Sequence, residues 1–130
     1  MTQLDHATAG DLLERYSAAW ETFDGDTWTD LFSEDVQYFE DPFEPPLVGR
    51  NAVRAYLLEA AENQQQVEMT IERHWVASPT VLASWHASYV RRRDQARIRL
   101  AGFMTLEIAE DGRIAHFHEW YHRRESVPAG

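Results

Sequence analysis

Residues Val36 to Gly49, read V-Q-Y-F-E-D-P-F-E-P-P-L-V-G, decide how the rest of the chain is read. A short strand stops at Asp41-Pro42, a proline-stiffened loop follows, and a glycine opens a helix. Pro42 forces Asp41 into extended backbone, so the carboxylate leaves the strand in a fixed direction. Pro45-Pro46 stiffen the loop, and Gly49 offers the permissive backbone that a helix entry often needs. Tyr38, Phe39 and Phe43 put apolar surface beside the acid. A carboxylate held at the lip of an apolar pocket is a candidate general base. The plainer reading is a turn aspartate that caps the next segment.

Outward from that stretch, 130 residues suffice for a single domain, 1–130 with a core of about 9–123, and a sizeable core without disulfides. Cysteine is absent, which excludes thiol catalysis, thiolate metal sites and disulfides. Lysine is absent too, so all 12 Lys+Arg residues are arginine, and Schiff-base chemistry and a phosphate-loop lysine are excluded. A formal charge of −10 argues against a nucleic-acid or anionic-membrane surface as partner. No apolar run approaches a membrane span, and the N-terminus lacks a secretory pattern. The expectation is a soluble, cytoplasmic protein.

Residues 1–7 read as a polar leader. Thr8 and Asp11 form a capping box for a helix carrying Leu12, Tyr16, Ala19, Trp20 and Phe23 at helical spacing. Asp24-Gly25-Asp26 ends it, and Asp26 caps a shorter helix with Trp28, Leu31 and Phe32. Ser33–Asp35 is a turn before the strand of Asp41. A third helix runs from about Asn51 to Glu62, and Asn63 with three glutamines forms a polar exit. From Val67 the period changes to two, giving strands over Val67–Ala77, Val81–Arg92, Ala96–Ile108 and Arg113–Arg123, with Ser126–Gly130 as a tail. Helices followed by an antiparallel meander make an α+β fold, in which one curved sheet wraps the helices and leaves a conical hollow.

Alternation decides which side chains face that hollow. Val81, Ala83, Trp85, Ala87 and Tyr89 share one strand face, and Ile98, Leu100, Gly102, Met104, Leu106 and Ile108 another. In the last strand Ala115, Phe117, Glu119 and Tyr121 continue the apolar side. His116, His118, Trp120 and His122 oppose them. One acid on an apolar face requires a partner or a function. For Glu119 the two readings are a rim arginine as partner and a catalytic role.

Together these motifs resemble a known family. W-x-x-F at Trp20–Phe23, E-D-P at Glu40–Pro42, G-R-x-A-V at Gly49–Val53 and D-G-R-I-x-x-F-x-E-W at Asp111–Trp120 are similar to the nuclear transport factor 2-like superfamily. Within it the chain most resembles the SnoaL-like and ketosteroid-isomerase-like proteins, over residues 9–123. The resemblance implies a cone-shaped barrel of a curved, mostly antiparallel sheet around three N-terminal helices, usually a homodimer packed through the convex sheet face. It implies that Asp41 is the general base and that Tyr16, after Arg15, is an oxyanion donor. The second donor of ketosteroid isomerases, a protonated aspartate, falls on Met104, which donates no hydrogen bond. Glu119 matches an acid common in the last strand of SnoaL-like proteins.

The aromatic residues Trp20, Trp28, Tyr38, Tyr56, Trp85, Tyr89, Phe117 and Tyr121, with Met104, form either core or the lining of a pocket for a small hydrophobic molecule. His116, His118 and His122 share the convex face, so no metal site is assigned there. His86 also points outward by alternation, although a one-residue bulge would bring it inside beside Asp41. The arginines around one hairpin read as a solvated rim. The expected function is a cofactor-free enzyme that abstracts a proton beside a carbonyl of a hydrophobic substrate, as an isomerase, cyclase or dehydratase does. Asp41 moves the proton, Tyr16 binds the oxyanion and Glu119 assists. The alternative is a non-catalytic ligand-binding or dimerisation domain, which Met104 favours.

Overall fold

The Asp5 side chain accepts the Thr8 N–H at 2.8 Å and caps helix α1 (His6–Thr22). The cap therefore sits three residues before the expected one, with Thr8 as donor instead of acceptor. The structure, a computed structural model, describes residues 4–128, so the outermost residues of the expected leader and tail lie outside the described residues. Phe23 ends α1 in the left-handed region, at φ 52 and ψ 40. Asp24, not Asp26, caps α2 (Gly25–Asp30), accepting from Thr27 N at 3.2 Å and Thr27 Oγ1 at 2.7 Å. Asp26 instead pairs with Arg54 at 3.0 Å.

Strand β1 (Phe32–Phe39) begins where a turn was expected at Ser33–Asp35. Phe32 and Val36 are both fully buried, and Phe32 already pairs with Ile114. A register irregularity between Phe32 and Gln37 absorbs the polar residues without ending the strand. After β2 (Leu47–Val48), Gly49 at φ 90 opens α3 (Arg50–Asn63), a backbone that a side chain would strain. Strand β3 (Gln64–Ala77) starts earlier than its apolar pattern, because Gln66 at φ 55 takes the glutamine run into a bulge. The strands β4 (Thr80–Arg91), β5 (Arg97–Ile108) and β6 (Ile114–Ser126) complete the meander.

The architecture is α+β: helices in the N-terminal half and one six-stranded sheet ordered β2-β1-β6-β5-β4-β3. Only the β1–β6 pairing is parallel. The first and last strands of that order leave the sheet open at both edges, so strand pairing does not close the barrel. Val81, Ala83, Trp85, Ala87 and Tyr89 are all buried on the inner face, as alternation requires, together with Met104, Leu106, Phe117 and Glu119. The helices cover that face with Leu12, Leu13, Trp28, Val53 and Leu57. The buried Trp28 indole donates to the Val53 carbonyl at 2.9 Å, which ties α2 to α3. Among the described residues no helix is long and apolar enough to cross a membrane.

Gly102 of β5 pairs with Trp85 of β4 and Tyr121 of β6. A Cβ built there would collide with the Trp120 carbonyl oxygen and lie 2.9 Å from Tyr121 Cβ and 3.0 Å from Trp85 Cζ2. Since two of those atoms belong to backbone or its first carbon, relaxation is costly. Gly102→Ala is expected to destabilise the chain by roughly 1–3 kcal/mol in urea unfolding. An unchanged midpoint would contradict this packing.

Candidate functional site

Phe117 stacks between two phenols, 4.3 Å from the Tyr38 ring and 5.5 Å from the Tyr16 ring. That stack fixes the two hydroxyls 3.2 Å apart, where either donates to the other. They form one wall of a cavity of about 100 Å³ between the inner sheet face, α1 and α3. Tyr56 of α3, Trp20 of α1, and Trp85, Tyr89 and Tyr121 of the sheet supply the other aromatic walls. Two larger and more open depressions adjoin it: one of about 770 Å³ shares Ala87, Leu100 and Arg123, and one of about 570 Å³ shares Glu40, Glu119 and Tyr121 and is also lined by Asp41.

Glu119 is the buried acid of this cavity, and its residue is only 8% exposed. Burial pushes its carboxyl up to about 8, and the neighbouring Glu40 adds to the shift. Glu40 also lines the cavity and accepts from the Tyr121 hydroxyl at 3.3 Å. Burial raises Tyr16, Tyr38 and Tyr56 well above the ordinary phenol value, and the Glu119 charge reinforces this in each. Tyr121 is pushed up to about 12 by burial, with Glu40 and Glu119 adding to it. All four phenols therefore stay protonated and can donate. Two further polar atoms, Gln64 Oε1 and Trp85 Nε1, are buried in cavity-lining residues without a protein partner among the described residues.

Asp41 is not in this cavity. It is exposed, and its side chain accepts the Phe43 N–H at 2.9 Å, the turn-capping arrangement. Phe43, expected to shield it, is 93% exposed. The structure therefore does not bring Asp41 and Tyr16 together in one pocket. The reason is the period of the strand: Val36 and Tyr38 point inward, so Glu40 follows them and Asp41 points away. Trp28, Met104 and Phe117 are each 0% exposed and belong to the core behind the cavity, not to its lining. Sequence reading missed Glu40, Gln64, Met69 and Arg123 at the cavity, although alternation from Tyr38 would have found Glu40.

The histidines lie elsewhere. His86 is exposed on the outer face with Nδ1 3.3 Å from Glu72, and His116 Nδ1 lies 3.4 Å from Glu107. His118 stacks on Phe39 at 4.2 Å. Among the described residues no group of three His, Asp or Glu residues is placed to hold a metal ion.

The sequence pattern of the SnoaL-like domain matches residues 13–117. Among curated proteins none matches. Solved structures match the fold. One is a Catenulispora acidiphila protein with a ketosteroid isomerase-like fold, in complex with trimethylamine (TM-score 0.77, 15% identity, 85% of this chain and 84% of that one). Another is a Mycobacterium tuberculosis LEH-like epoxide hydrolase (TM-score 0.76, 18% identity, 89% and 84%). A third is SalBIII, an epoxide hydrolase/cyclase-like enzyme with a role in pyran ring formation in the polyether salinomycin (TM-score 0.80, 14% identity, 91% and 93%). At these identities the likeness carries the fold alone.

A carboxyl raised from 4.5 to about 8 on folding makes the folded chain bind the extra proton. Its contribution favours folding fully at low pH and is lost as pH rises from about 4.5 to about 8. For this single group the slope approaches roughly 1.4 kcal/mol per pH unit. Glu119→Gln is expected to flatten that slope in urea unfolding between pH 5 and 8. Identical slopes in both proteins would contradict the assignment.

Proposed function

The chain belongs to the SnoaL-like domain family, and from that premise we propose that it is a cofactor-free enzyme moving a proton beside a carbonyl of a small substrate. The observation that carries this reading is one buried carboxyl, Glu119, in a small cavity lined by protonated phenols. A group poised near 8 is suited to proton transfer at ordinary pH, where an exposed glutamate is too weak a base.

In the proposed step the Glu119 carboxylate takes the α-proton. The C–H electron pair forms the new C=C bond, the carbonyl π pair moves onto oxygen to give an enolate, and the Tyr16–Tyr38 pair donates a hydrogen bond to that oxygen. Returning the proton to another carbon isomerises the substrate, expelling a β-substituent dehydrates it, and attack on an electrophile cyclises it. Glu119 thus takes the part expected of Asp41. Met104 is the cross-strand neighbour of Glu119 and offers no donor, so the phenols carry the oxyanion stabilisation.

Size narrows the substrate. The cavity, about 100 Å³, is smaller than the ~150 Å³ void that accommodates benzene, so a polycyclic ring system does not fit. The outer face, where Trp75 is 41% and Trp120 44% exposed beside Phe103, is the face we assign to self-association as a homodimer. The solvent-facing Asp41 favours a second reading, a non-catalytic ligand-binding domain.

Hydrogen–deuterium exchange of acetone and butanone in heavy water separates the two readings. Catalysed exchange is expected to rise with pH through about 8. It should fall roughly 10²- to 10⁴-fold in Glu119→Gln and by about 2–4 kcal/mol of barrier in Tyr16→Phe. Asp41→Asn should leave it unchanged. Equal rates in wild type and Glu119→Gln would leave only the binding reading.

A further inference from the structure

We infer that the cavity takes a small organic cation, an alkylammonium of about four to six heavy atoms, held over ring faces with Glu119 and Glu40 as counter-charge. The inference rests on the reading that this cavity takes a ligand, and it adds the ligand's charge. Joined to the proposed proton transfer, it makes the substrate a small aminocarbonyl compound.

Three features of the cavity point to a cation. The first is the shape of its walls. Trp20 and Tyr56 lie 5.7 Å apart at 40°, Tyr38 and Tyr56 5.4 Å apart at 50°, and Trp85 and Tyr121 6.2 Å apart at 55°. Rings tilted in this way form the corners of a box and do not stack flat, and such boxes attract ammonium groups through the negative ring faces.

The second is charge. Two carboxyl side chains line a space of about 100 Å³, in a chain of net charge −10. Arg123 is the cation among the lining residues, and it is half exposed and 3.7 Å from Glu125, which draws it outward. The third is the buried Gln64 Oε1, an acceptor without a protein partner among the described residues, suited to an ammonium N–H.

A cation in this box also ionises the acid. Glu119 shares the cavity with Tyr38 of β1 and Glu40 just after it, Tyr16 of α1, Tyr56 of α3, and Tyr121 and Arg123 of its own strand. With the carboxyl raised to about 8, it holds its proton at neutral pH, and a bound positive charge expels it. Binding therefore releases close to one proton to the buffer and leaves the carboxylate that proton abstraction needs.

The test is calorimetric titration of the full chain at pH 7 with tetramethylammonium chloride and, as the neutral isostere, tert-butanol, each in two buffers of different ionisation enthalpy. Tetramethylammonium should bind at least about tenfold more tightly than tert-butanol and release close to one proton. Glu119→Gln should abolish the proton release and weaken binding about tenfold or more. Tyr56→Leu should weaken it roughly 3- to 30-fold, and it decides the matter if Glu119→Gln fails to fold. If tert-butanol binds as tightly as the cation, the cation inference falls while the ligand cavity stands. If neither binds at millimolar concentration, both fall. Proton transfer is judged separately by the exchange rates.

Discussion

Glu119 is held where its charge is costly, and most of the site's chemistry follows from that. Its strand, β6, lies between β1 and β5: pairing with β1 runs to His118, and Glu119 itself pairs with Met104 of β5. The side chain points to the inner face, between the fully buried Phe117 and the phenols. Glutamate is too short to reach solvent as an arginine would. The group therefore keeps its proton until about pH 8, and Glu40 nearby pushes in the same direction. The phenols facing it are raised first by their own burial and then by the Glu119 charge, so the acid and the phenols all favour their protonated forms.

Packing supplies the constraint that chemistry exploits. The Tyr16–Phe117–Tyr38 stack joins α1, β6 and β1, and it holds two hydroxyls at hydrogen-bond distance without either strand edge taking part. Gly102 lets β5 lie against the Trp120 backbone and the Trp85 ring at a distance that no side chain would allow. The Trp28 indole bond to Val53 fixes α3, and with it Tyr56, the ring that faces the sheet across the hollow. Each device acts on a different element, and all of them bear on the same small volume.

Much of this was legible in the residues. The switch of period after α3 marked the meander, and alternation assigned the inner faces of β4, β5 and, from Phe117 on, β6, with Glu119 and Tyr121 inward and His86 outward; a register irregularity puts Ile114 in the core where Ala115 was expected. Motif resemblance pointed to the right family. The error at Asp41 arose because the E-D-P motif was read by likeness while the alternation of its own strand was set aside. Tyr38 inward implies Glu40 inward, and two-residue periodicity outweighs a motif shared with remote proteins. The misplaced caps at Thr8 and Asp26 have a simpler cause: several Asp and Thr residues lie within one turn, and only backbone geometry selects among them. Which buried aromatics line the cavity and which lie behind it depends on depth. Periodicity assigns a face but not a distance from the centre, so Trp28, Met104 and Phe117 could not be separated from Tyr38 and Trp85 by sequence.

The proposed proton transfer and the inferred cation selection both rest on a single local field, that of a buried carboxyl among aromatic rings. The most direct measurement of that field is the titration of the Glu119 carboxyl carbon by ¹³C NMR, assigned by its disappearance in Glu119→Gln. A midpoint near 8 is expected in the ligand-free chain. A midpoint near 4.5, the value of a solvated glutamate, would contradict it.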